Sequence, residues 1–474
     1  MLNIGSRLEL LIDDYLIDTM DGASLQLQHP VPQEVVMVYD TQGTLGHLEH
    51  PWEGNTSGFF SVIFPDDGQY KMYYRGSNWT MERGYQTHEV ACYAESPDGI
   101  QWTRPELGLF EFEGSKKNNI VWPHVDEAAS WFAFKDPNPT VPDTERYKAA
   151  GGMDLKGMPG LISPDGVHWT KLEKPLIPDD LNTDWGQSVF WNPLDKKYHA
   201  YLRYWEGGDE SHKVHSGYRS LRHMSSDDFY NWSPWTPITY ENPPSDHIQI
   251  YMNNIRPYER APHILIGPVK RFTPERKKHP THPYPGLSDG GLMTSRDGLH
   301  FKFWQEAFNR PGPDPEKWIQ RNLVPVNGIV QSSPEELSLY WIERYYSHLP
   351  EIQPGVEGCR MRRGTIRTDG FVSMYAPYAG GEFVTKPFVF EGRELVLNYA
   401  TSAMGSVRVE IQEESGRPME GFKLEQCPDI FGDEIKHIVS WEGGGDVKRL
   451  EGTPVRLRFV LQDADLYSFR FQPE

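Results

Sequence analysis

Carboxylate side chains stand at the edges of short apolar segments at three places in this sequence. They are Glu53 in HPWEGN, Asp184 in NTDWGQS and Glu343, which ends the apolar run LSLYWIE. A pair of carboxyl groups, one protonated and one ionised, can cleave a glycosidic bond through an acid and a base or nucleophile. The alternative is that these carboxylates form structural ion pairs.

Side chains of the kinds that bind sugars accompany these carboxylates. Aromatic rings can stack on the apolar face of a sugar, while amides and charged groups bind its hydroxyls. We predict a substrate-binding set consisting of Asn55, Arg75, Arg203, Asn254, Lys270, Asp289, Trp52 and Trp185.

The basic residues of this set, Arg75, Arg203 and Lys270, could together with Arg271 bind an anion instead of the hydroxyls of a neutral sugar. In an acidic chain a basic funnel would select an anionic group, such as a uronate, a sulfated sugar or phosphate. The alternative is that they are the counter-ions of the carboxylates.

The sequence has no convincing pattern for a metal or a cofactor. Its three cysteines, Cys92, Cys359 and Cys427, are far apart and form no CxxC pair. His279 and His282 form an HxxH pattern, but without a helix or a third ligand this is a weak metal signal. We therefore expect no metal and no cofactor. The thiols favour a reducing compartment, the cytoplasm, with export after removal of a leader as the alternative.

A short repeat indicates how the chain brings the candidate residues together. A polar residue, an aspartate, usually a glycine and then an aromatic residue recur five times, about every 68 residues, with the aspartates at Asp98, Asp165, Asp227, Asp297 and Asp369. Each copy predicts a tight hairpin, and further strand signals precede it. Four-stranded units at this period predict a five-bladed β-propeller, with an array of open β-sandwiches as the alternative.

The order of strands in a blade sorts the residues onto two faces. Strands A to D alternate in direction, so the D-to-A and B-to-C connections share one face and the hairpins lie on the other. We expect the site at the starts of the A strands and the ends of the B strands, and the hairpin aspartates opposite it as turn caps. Crowding of Glu53, Asp184 and Glu343 should raise the pKa of at least one of them unless arginines offset it.

The chain divides into three parts in this interpretation. Residues 1–45 contain two strand-like runs that pack on the propeller or on a C-terminal domain, or close the ring. Residues 46–378 form the propeller. Residues 379–474 alternate with period two, which predicts a β-sandwich and an all-β fold overall.

The composition disfavours several classes of partner. Lys and Arg number 47 against 67 Asp and Glu, a net charge of −20, which would repel nucleic acid. No apolar run is long enough for a membrane span, and the first residues lack the pattern of a signal peptide. The expected partner is a carbohydrate, and the oligomeric state is left open.

The five blades, the hairpins of the SxDGxxW type and the trailing β domain resemble the five-bladed propeller glycoside hydrolases of the invertase, arabinanase and xylosidase clans. The resemblance covers roughly Trp52 to Tyr378 and, in outline, the C-terminal part. A group of bacterial propeller proteins related to those enzymes is more similar still, through CYAESPDGIQWTRPELGLFE and LYSFRF. That closer resemblance implies no particular activity.

The resemblance also implies positions for the catalytic groups. The enzymes carry three carboxylates on the A strands of blades 1 to 3, which places the nucleophile at Glu53 and the acid at Asp184. The residue types are exchanged here, Glu for Asp and Asp for Glu, and the RDP triplet of blade 2 is missing. The roles, and retention versus inversion, therefore stay open.

The resulting hypothesis is a glycoside hydrolase, exo-acting on an oligosaccharide or glycoside, that uses Glu53, Asp184 and Glu343. One alternative is a glycoside phosphorylase that binds phosphate through its basic funnel. The other is a non-catalytic carbohydrate-binding propeller whose carboxylates are all in ion pairs.

Overall fold

Five small β-sheets and one larger sheet make up the protein. The computed structural model describes residues 1–39, 50–79, 86–152, 157–178, 186–207, 217–244, 248–280, 282, 284–345 and 358–473. The five small sheets follow one another along the chain, and their inner strands contact each other in order around a ring. The predicted all-β fold with a five-bladed propeller is confirmed.

The N-terminal segment contributes strands to both parts of the molecule. Its first four strands join the C-terminal domain and its fifth joins the propeller. The strands are β1 (Leu2–Gly5), β2 (Glu9–Leu10), β3 (Ile17–Asp21), β4 (Ser24–Leu27) and β5 (Val31–Val38).

The first four blades are formed by consecutive stretches of chain. Blade 1 contains β6 (Val62–Asp66), β7 (Gln69–Trp79), β8 (Gln86–Ser96) and β9 (Ile120–Trp122); blade 2 contains β10 (Phe132–Lys135), β11 (Tyr147–Ala150), β12 (Gly160–Ser163) and β13 (Thr170–Lys171). Blade 3 contains β14 (Ser188–Asn192), β15 (Lys197–Glu206), β16 (Tyr218–Ser226) and β17 (Thr236–Pro237). Blade 4 contains β18 (Thr239–Glu241), β19 (Gln249–Asn253), β20 (Arg256–Tyr258), β21 (Ala261–Thr273), β22 (Leu287–Ser295) and β23 (His300–Asn309).

Blade 5 is completed by the N-terminal segment, and this closes the ring. Its own strands are β24 (Val324–Pro325), β25 (Val330–Gln331), β26 (Glu336–Glu343) and β27 (Arg360–Arg367). Strand β5 pairs antiparallel with β27 as the outer strand, so that Val38 lies opposite Arg360. A blade built from both ends of the propeller sequence holds the ring shut and covers the sheet edge of β27.

The hairpins after strand C of blades 1 to 4 share one geometry. In blade 1 the Asp98 carboxylate accepts the backbone N–H groups of Ile100 and Gln101, both at 2.8 Å. Gly99 follows with φ of +75°, and its carbonyl oxygen accepts the hydroxyl of Tyr340 from blade 5. A Cβ at Gly99 would lie 2.6 Å from that hydroxyl oxygen, so glycine permits both the turn and the contact between blades.

The hairpin of blade 3 departs from the sequence prediction by one residue. Asp228, not Asp227, caps the turn, by accepting the N–H groups of Tyr230 and Asn231. Ser226 sets this register because its hydroxyl accepts the N–H of Phe229, which takes the place of glycine with φ of +74°.

The fifth hairpin has a different role because it leads directly into the second domain. Asp369 is buried and accepts hydrogen bonds from Tyr258 at 2.7 Å and Arg260 at 2.8 Å in blade 4. It also accepts one at 3.1 Å from the hydroxyl of Ser468 in the C-terminal domain. This carboxylate therefore ties two blades to the second domain.

The C-terminal domain begins earlier than the sequence indicated. Strand β28 (Val372–Ala376) already belongs to its ten-stranded network, before the expected boundary at 378. The other strands are β29 (Gly381–Thr385), β30 (Phe388–Phe390), β31 (Glu394–Glu413), β32 (Asp433–Ile438) and β33 (Val455–Gln472). They enclose an apolar core that includes Phe383, Phe459 and Trp441.

Helices are few in the described ranges. They are α1 (Val125–Ala128) and the 3-10 turns Asp143–Glu145, Pro315–Lys317, Leu424–Gln426 and Lys448–Leu450. None of these is long and apolar enough to cross a membrane.

Replacement of Asp369 by Asn should loosen the link between the two domains. The amide keeps one acceptor oxygen but leaves Arg260 without its counter-charge, so we expect the free energy of unfolding to fall by about 2–3 kcal/mol. Urea unfolding measures the change. Asp227→Asn, at an exposed position, is the control and should leave the unfolding midpoint unchanged; equal shifts in the two variants would contradict the tether.

Candidate active site

Basic side chains from four blades meet at one end of the central channel, on the face of the D-to-A and B-to-C connections. We call this group the basic cluster; its members are Arg75 on β7, Arg203 on β15, Arg219 on β16, Lys270 on β21 and Arg321 before β24. They lie around aromatic rings, since Arg203 and Arg219 are each 4.7 Å from the ring centroid of Tyr251. Cation–π contacts of this kind stabilise the charges away from water.

One carboxylate belongs to the same region. Glu89, near the start of β8, is 6% exposed, and its Oε1 accepts a hydrogen bond of 2.9 Å from Arg75. Burial raises the pKa of Glu89, and the charges of Arg75 and Arg321 offset this effect only in part. A buried carboxyl with a raised pKa is better suited to donate a proton than one with its usual pKa.

Neither Glu89 nor Arg219 was among the residues predicted from the sequence. Each lies near the start of a strand C, and a B-to-C connection places that end of the strand on the same face as the end of strand B. The sequence signal that could have identified them is a charged residue at the start of a strand. Glu89 directly precedes the apolar segment VACYA, and Arg219 directly precedes Ser220 and Leu221.

Arg75 links the two kinds of group in the cluster. Its guanidinium contacts Glu89 on one side and donates to the hydroxyl of Tyr345 on the other. Its Cζ lies 5.2 Å from the ring centroid of Phe59. The side chain is 1% exposed, so its orientation is fixed by these contacts.

Lys270 lies near the same phenyl ring as Arg75. Its Nζ is 3.7 Å from the ring centroid of Tyr251 and 5.4 Å from that of Phe59. The side chain is completely buried, and the Nζ has no hydrogen-bond partner in the described part of the chain. Burial, followed by the charges of Arg321, Arg219 and Arg203, lowers the pKa of Lys270 well below its usual range.

The structure places Glu53 outside this cluster. Its carboxylate is fully buried between blades 1 and 5, where both oxygens accept hydrogen bonds from Arg104, at 2.8 and 2.9 Å, and the hydroxyl of Tyr74 donates to it as well. Arg104 also donates to the carbonyl of Val38 on the closing strand. Glu53 thus takes part in joining blade 1 to β5.

Glu343 lies in a similar ion-pair network. It accepts hydrogen bonds from Lys317 at 2.7 Å, Arg362 at 2.8 Å and Arg360 at 3.2 Å. Burial alone would raise the pKa of Glu343, but the hydrogen bonds and charges of Lys317 and Arg362 hold it below its usual value. Neighbouring cations thus offset the pKa rise that burial alone would give this carboxyl, which is the exception stated with the prediction. Arg362 also donates to the carbonyl of Gln33 on β5.

The third predicted carboxylate cannot be placed, because Asp184 and its neighbour Trp185 lie outside the described residues. The chain continues from them into Gln187, which is buried beside the channel. Its amide exchanges hydrogen bonds of 2.7 and 2.8 Å with Ser130 of the segment before blade 2.

Four of the predicted binding residues are not members of the basic cluster and have partners that the structure shows. Asn55 bonds the backbone of Trp79 at both ends of its amide, and Asn254 donates to the carbonyl of Pro325 in blade 5. The other two are Asp289, which forms two hydrogen bonds of 2.7 Å with Arg271, and Trp52, which is buried and donates to Asn119. Arg271 is therefore engaged outside the basic cluster.

A cavity of about 370 Å³ occupies the opposite end of the channel. The inner strands line it with apolar residues, among them Phe64, Phe134 and Phe190. The lining includes Lys135 and Pro193, at the ends of inner strands, so the cavity lies toward the face of the hairpins. None of the capping aspartates lines it. The cavity lies toward the hairpins, whereas the site was expected on the opposite face.

Metal ligands do not cluster in the parts of the chain that the structure describes. No group of three or more His, Cys, Asp or Glu side chains is arranged to hold a metal ion there. His282 is buried, and its Nδ1 lies 2.9 Å from the carbonyl oxygen of Tyr284.

Comparison with known proteins gives similarity in fold. No family model matches the chain. Exodeoxyribonuclease I of Buchnera aphidicola subsp. Acyrthosiphon pisum (strain APS) is 29% identical over 134 residues, which is 25% of this chain, and the chain spans only 32% of the length of that curated relative.

Solved structures match over more of the protein. They include BT0996 in its RGII complex, with 12% identity and a TM-score of 0.46 over 73% of this protein and 93% of the other. A glycoside hydrolase has 11% identity and a TM-score of 0.45 over 72% and 92%. An N-acetylgalactosamine deacetylase from F. plautii, in complex with blood group B trisaccharide, has 12% identity and a TM-score of 0.44 over 74% and 97%. All three TM-scores are below 0.5, so function is inferred from the residues of the site.

Replacement of Glu343 by Gln should destabilise the protein most at neutral pH. A carboxyl whose pKa is lowered by folding contributes stability above its unfolded-state pKa, about 4.3, and loses it as the pH falls through the folded value. The difference in unfolding free energy between wild type and Glu343→Gln should therefore shrink below about pH 4. Urea unfolding at several pH values measures it.

Glu335→Gln is the control for this measurement, because Glu335 is exposed just before β26. We expect its stability to follow that of the wild type at every pH. A difference for Glu343→Gln that stays constant down to about pH 3 would show that the carboxylate is not held ionised by its partners.

Proposed function

We propose that the protein is a glycosidase whose active site is the end of the channel that holds the basic cluster, with Glu89 as the general acid. The observation that carries this proposal is the environment of the Glu89 carboxyl. It is buried, has Arg75 as its ion-pair partner and has a raised pKa.

Glycoside cleavage requires a carboxyl that is protonated before the reaction and can donate to the leaving oxygen. Burial favours the protonated form of Glu89 by penalising the charged form, which raises its pKa. Arg75 supplies the orientation through its 2.9 Å hydrogen bond, and its charge would stabilise the carboxylate once the proton has left. The carboxylate of Glu53 is bound by Arg104, and that of Glu343 by Lys317, Arg362 and Arg360. We assign structural roles to both.

Aromatic rings beside Glu89 fit a sugar ring. Phe59 and Tyr345 are 5.5 Å apart between ring centroids, and Phe59 and Tyr251 are 6.2 Å apart. Such surfaces pack against the C–H face of a pyranose or furanose. Because blades surround this end of the channel, it would admit the end of a glycan rather than its middle, which corresponds to exo-acting cleavage.

A second carboxylate must act as base or nucleophile, and we propose Asp184 for this role. It precedes Gln187, whose side chain lies beside the channel. The resemblance to propeller glycoside hydrolases implied that Asp184 is the acid. The raised pKa of Glu89 favours the exchange of these roles, with the proton on Glu89.

Replacement of Glu89 by Gln tests the proposal, once a substrate has been found among chromogenic pyranosides and furanosides. The amide preserves the shape and the hydrogen bond to Arg75 but carries no transferable proton, so kcat should fall at least about 100-fold with little change in KM. The alkaline limb of the pH profile should disappear. An aglycone that leaves without protonation should restore cleavage.

Two further variants complete this test. Glu95→Gln, at the other end of the same strand, should retain wild-type kinetics. Asp184→Asn should lose activity with every aglycone. Rescue of Asp184→Asn instead of Glu89→Gln would reverse the two roles, and losses of about threefold in both would refute them. Cleavage only in the presence of phosphate, with release of a sugar phosphate, would identify a phosphorylase instead.

A further inference from the structure

Lys270 differs from other lysines of the described chain, as the buried Lys148 and the half-buried Lys302 show. Lys148 is 1% exposed, and its Nζ is 2.9 Å from a carboxylate oxygen of Asp136. Lys302 lies over the ring of Trp304 and has Glu241 at 3.6 Å. Lys270 has an aromatic ring below it, but among the described residues its Nζ has neither a carboxylate nor any hydrogen bond.

A buried ammonium without a partner is strongly unfavourable, and proteins rarely keep one without a function. The charges that act most strongly on the Nζ of Lys270 are those of Arg321, Arg219 and Arg203, all of the same sign. The surroundings of the Nζ therefore favour a negative group beside it. The chain as a whole has a net charge of −20, so this concentration of cations is opposite in sign to the rest of the protein.

We propose that Lys270 and Arg203, above the ring of Tyr251, bind an oxyanion carried by the substrate, either the carboxylate of a uronic acid or a sulfate ester. This inference rests on the proposed function, because it names the substrate class of the same site. The Nζ of Lys270 would donate a hydrogen bond to the anion. The guanidinium of Arg203, 4.7 Å from the same ring centroid, would place a second positive charge beside it. A neutral sugar would offer the Nζ no opposite charge.

If Lys270 binds an anion, binding should change its protonation, whereas a lysine with only a structural role would show no such change. Burial and the charges of the three arginines lower the pKa of Lys270, which means that they disfavour its charged form. An anion beside the Nζ favours the charged form, so binding is coupled to the uptake of a proton. The groups that face Lys270 are the three arginines and the rings of Tyr251, Phe59 and Phe272.

The experiment is calorimetric titration of the whole protein with glucuronate, sodium sulfate and sodium phosphate, and with glucose as the neutral probe. Each titration is run in two buffers that differ in ionisation enthalpy, so that proton uptake is measured directly. We expect an anion to bind with uptake of up to one proton, and glucose to bind without uptake. Lys270→Met should abolish the uptake and weaken anion binding at least about tenfold.

Lys302→Met is the matched control, since Lys302 also lies over an aromatic ring but has a carboxylate partner. It should bind anions like the wild type. Thermal unfolding checks that the variants fold, and Lys270→Met should be at least as stable as the wild type, because it removes an unpaired buried amine. Lys270→Arg, which keeps the charge, should retain part of the binding.

The outcomes separate the sources of the anion. Tighter binding of glucuronate indicates a uronate, and tighter binding of sulfate indicates a sulfate ester. Binding of phosphate alone, or of none of the anions, would overturn the proposal, as would equal proton uptake in Lys270→Met. Glu89→Gln should bind the anion normally, so failure of the acid assignment and failure of this inference can be distinguished.

Discussion

Closure of the ring by strand β5 is the constraint on which the rest of the structure depends. The N-terminal segment supplies the outer strand of blade 5, and arginines bind its backbone at two points, Arg104 at the carbonyl of Val38 and Arg362 at that of Gln33. A buried carboxylate holds each arginine: Glu53 holds Arg104 and Glu343 holds Arg362. Without closure the inner strands would not surround a channel, and the charges of separate blades would not meet at its end.

This arrangement explains why carboxylates with similar sequence contexts have different roles. Glu53 and Glu343 each receive several hydrogen bonds from cationic or polar donors, which fix the carboxylate in place. Glu89 receives a hydrogen bond from Arg75, and burial raises its pKa in spite of that contact. The balance of donors and burial around a carboxyl therefore separates a structural ion pair from a group able to transfer a proton.

The repeat in the sequence predicted the architecture because each hairpin uses its own local hydrogen bonds, as Asp98 shows. It failed where tertiary structure decides the outcome. Asp369 follows the same pattern, yet the chain then enters another domain, which its carboxylate contacts. Glu89 was not predicted because the site was expected only at the starts of A strands and the ends of B strands. Strand C begins on the same face of the propeller. The sequence identified Glu53 as a candidate but could not predict its ion pair, because its partner Arg104 is 51 residues away in sequence.

The closed ring also allows the protein to keep the basic cluster, in which like charges lie close together at a cost in folding free energy. Crowding of Arg203, Arg219, Arg321 and Lys270 opposes folding, and Lys270 is not compensated by any hydrogen bond that the structure describes. Such a site persists only where the surrounding structure is held by stronger contacts. Here the blades are joined by hydrogen bonds between hairpins and neighbouring strands and by the ion pairs on β5. These contacts stabilise the ring, so that the basic cluster can retain charges suited to a ligand of opposite sign.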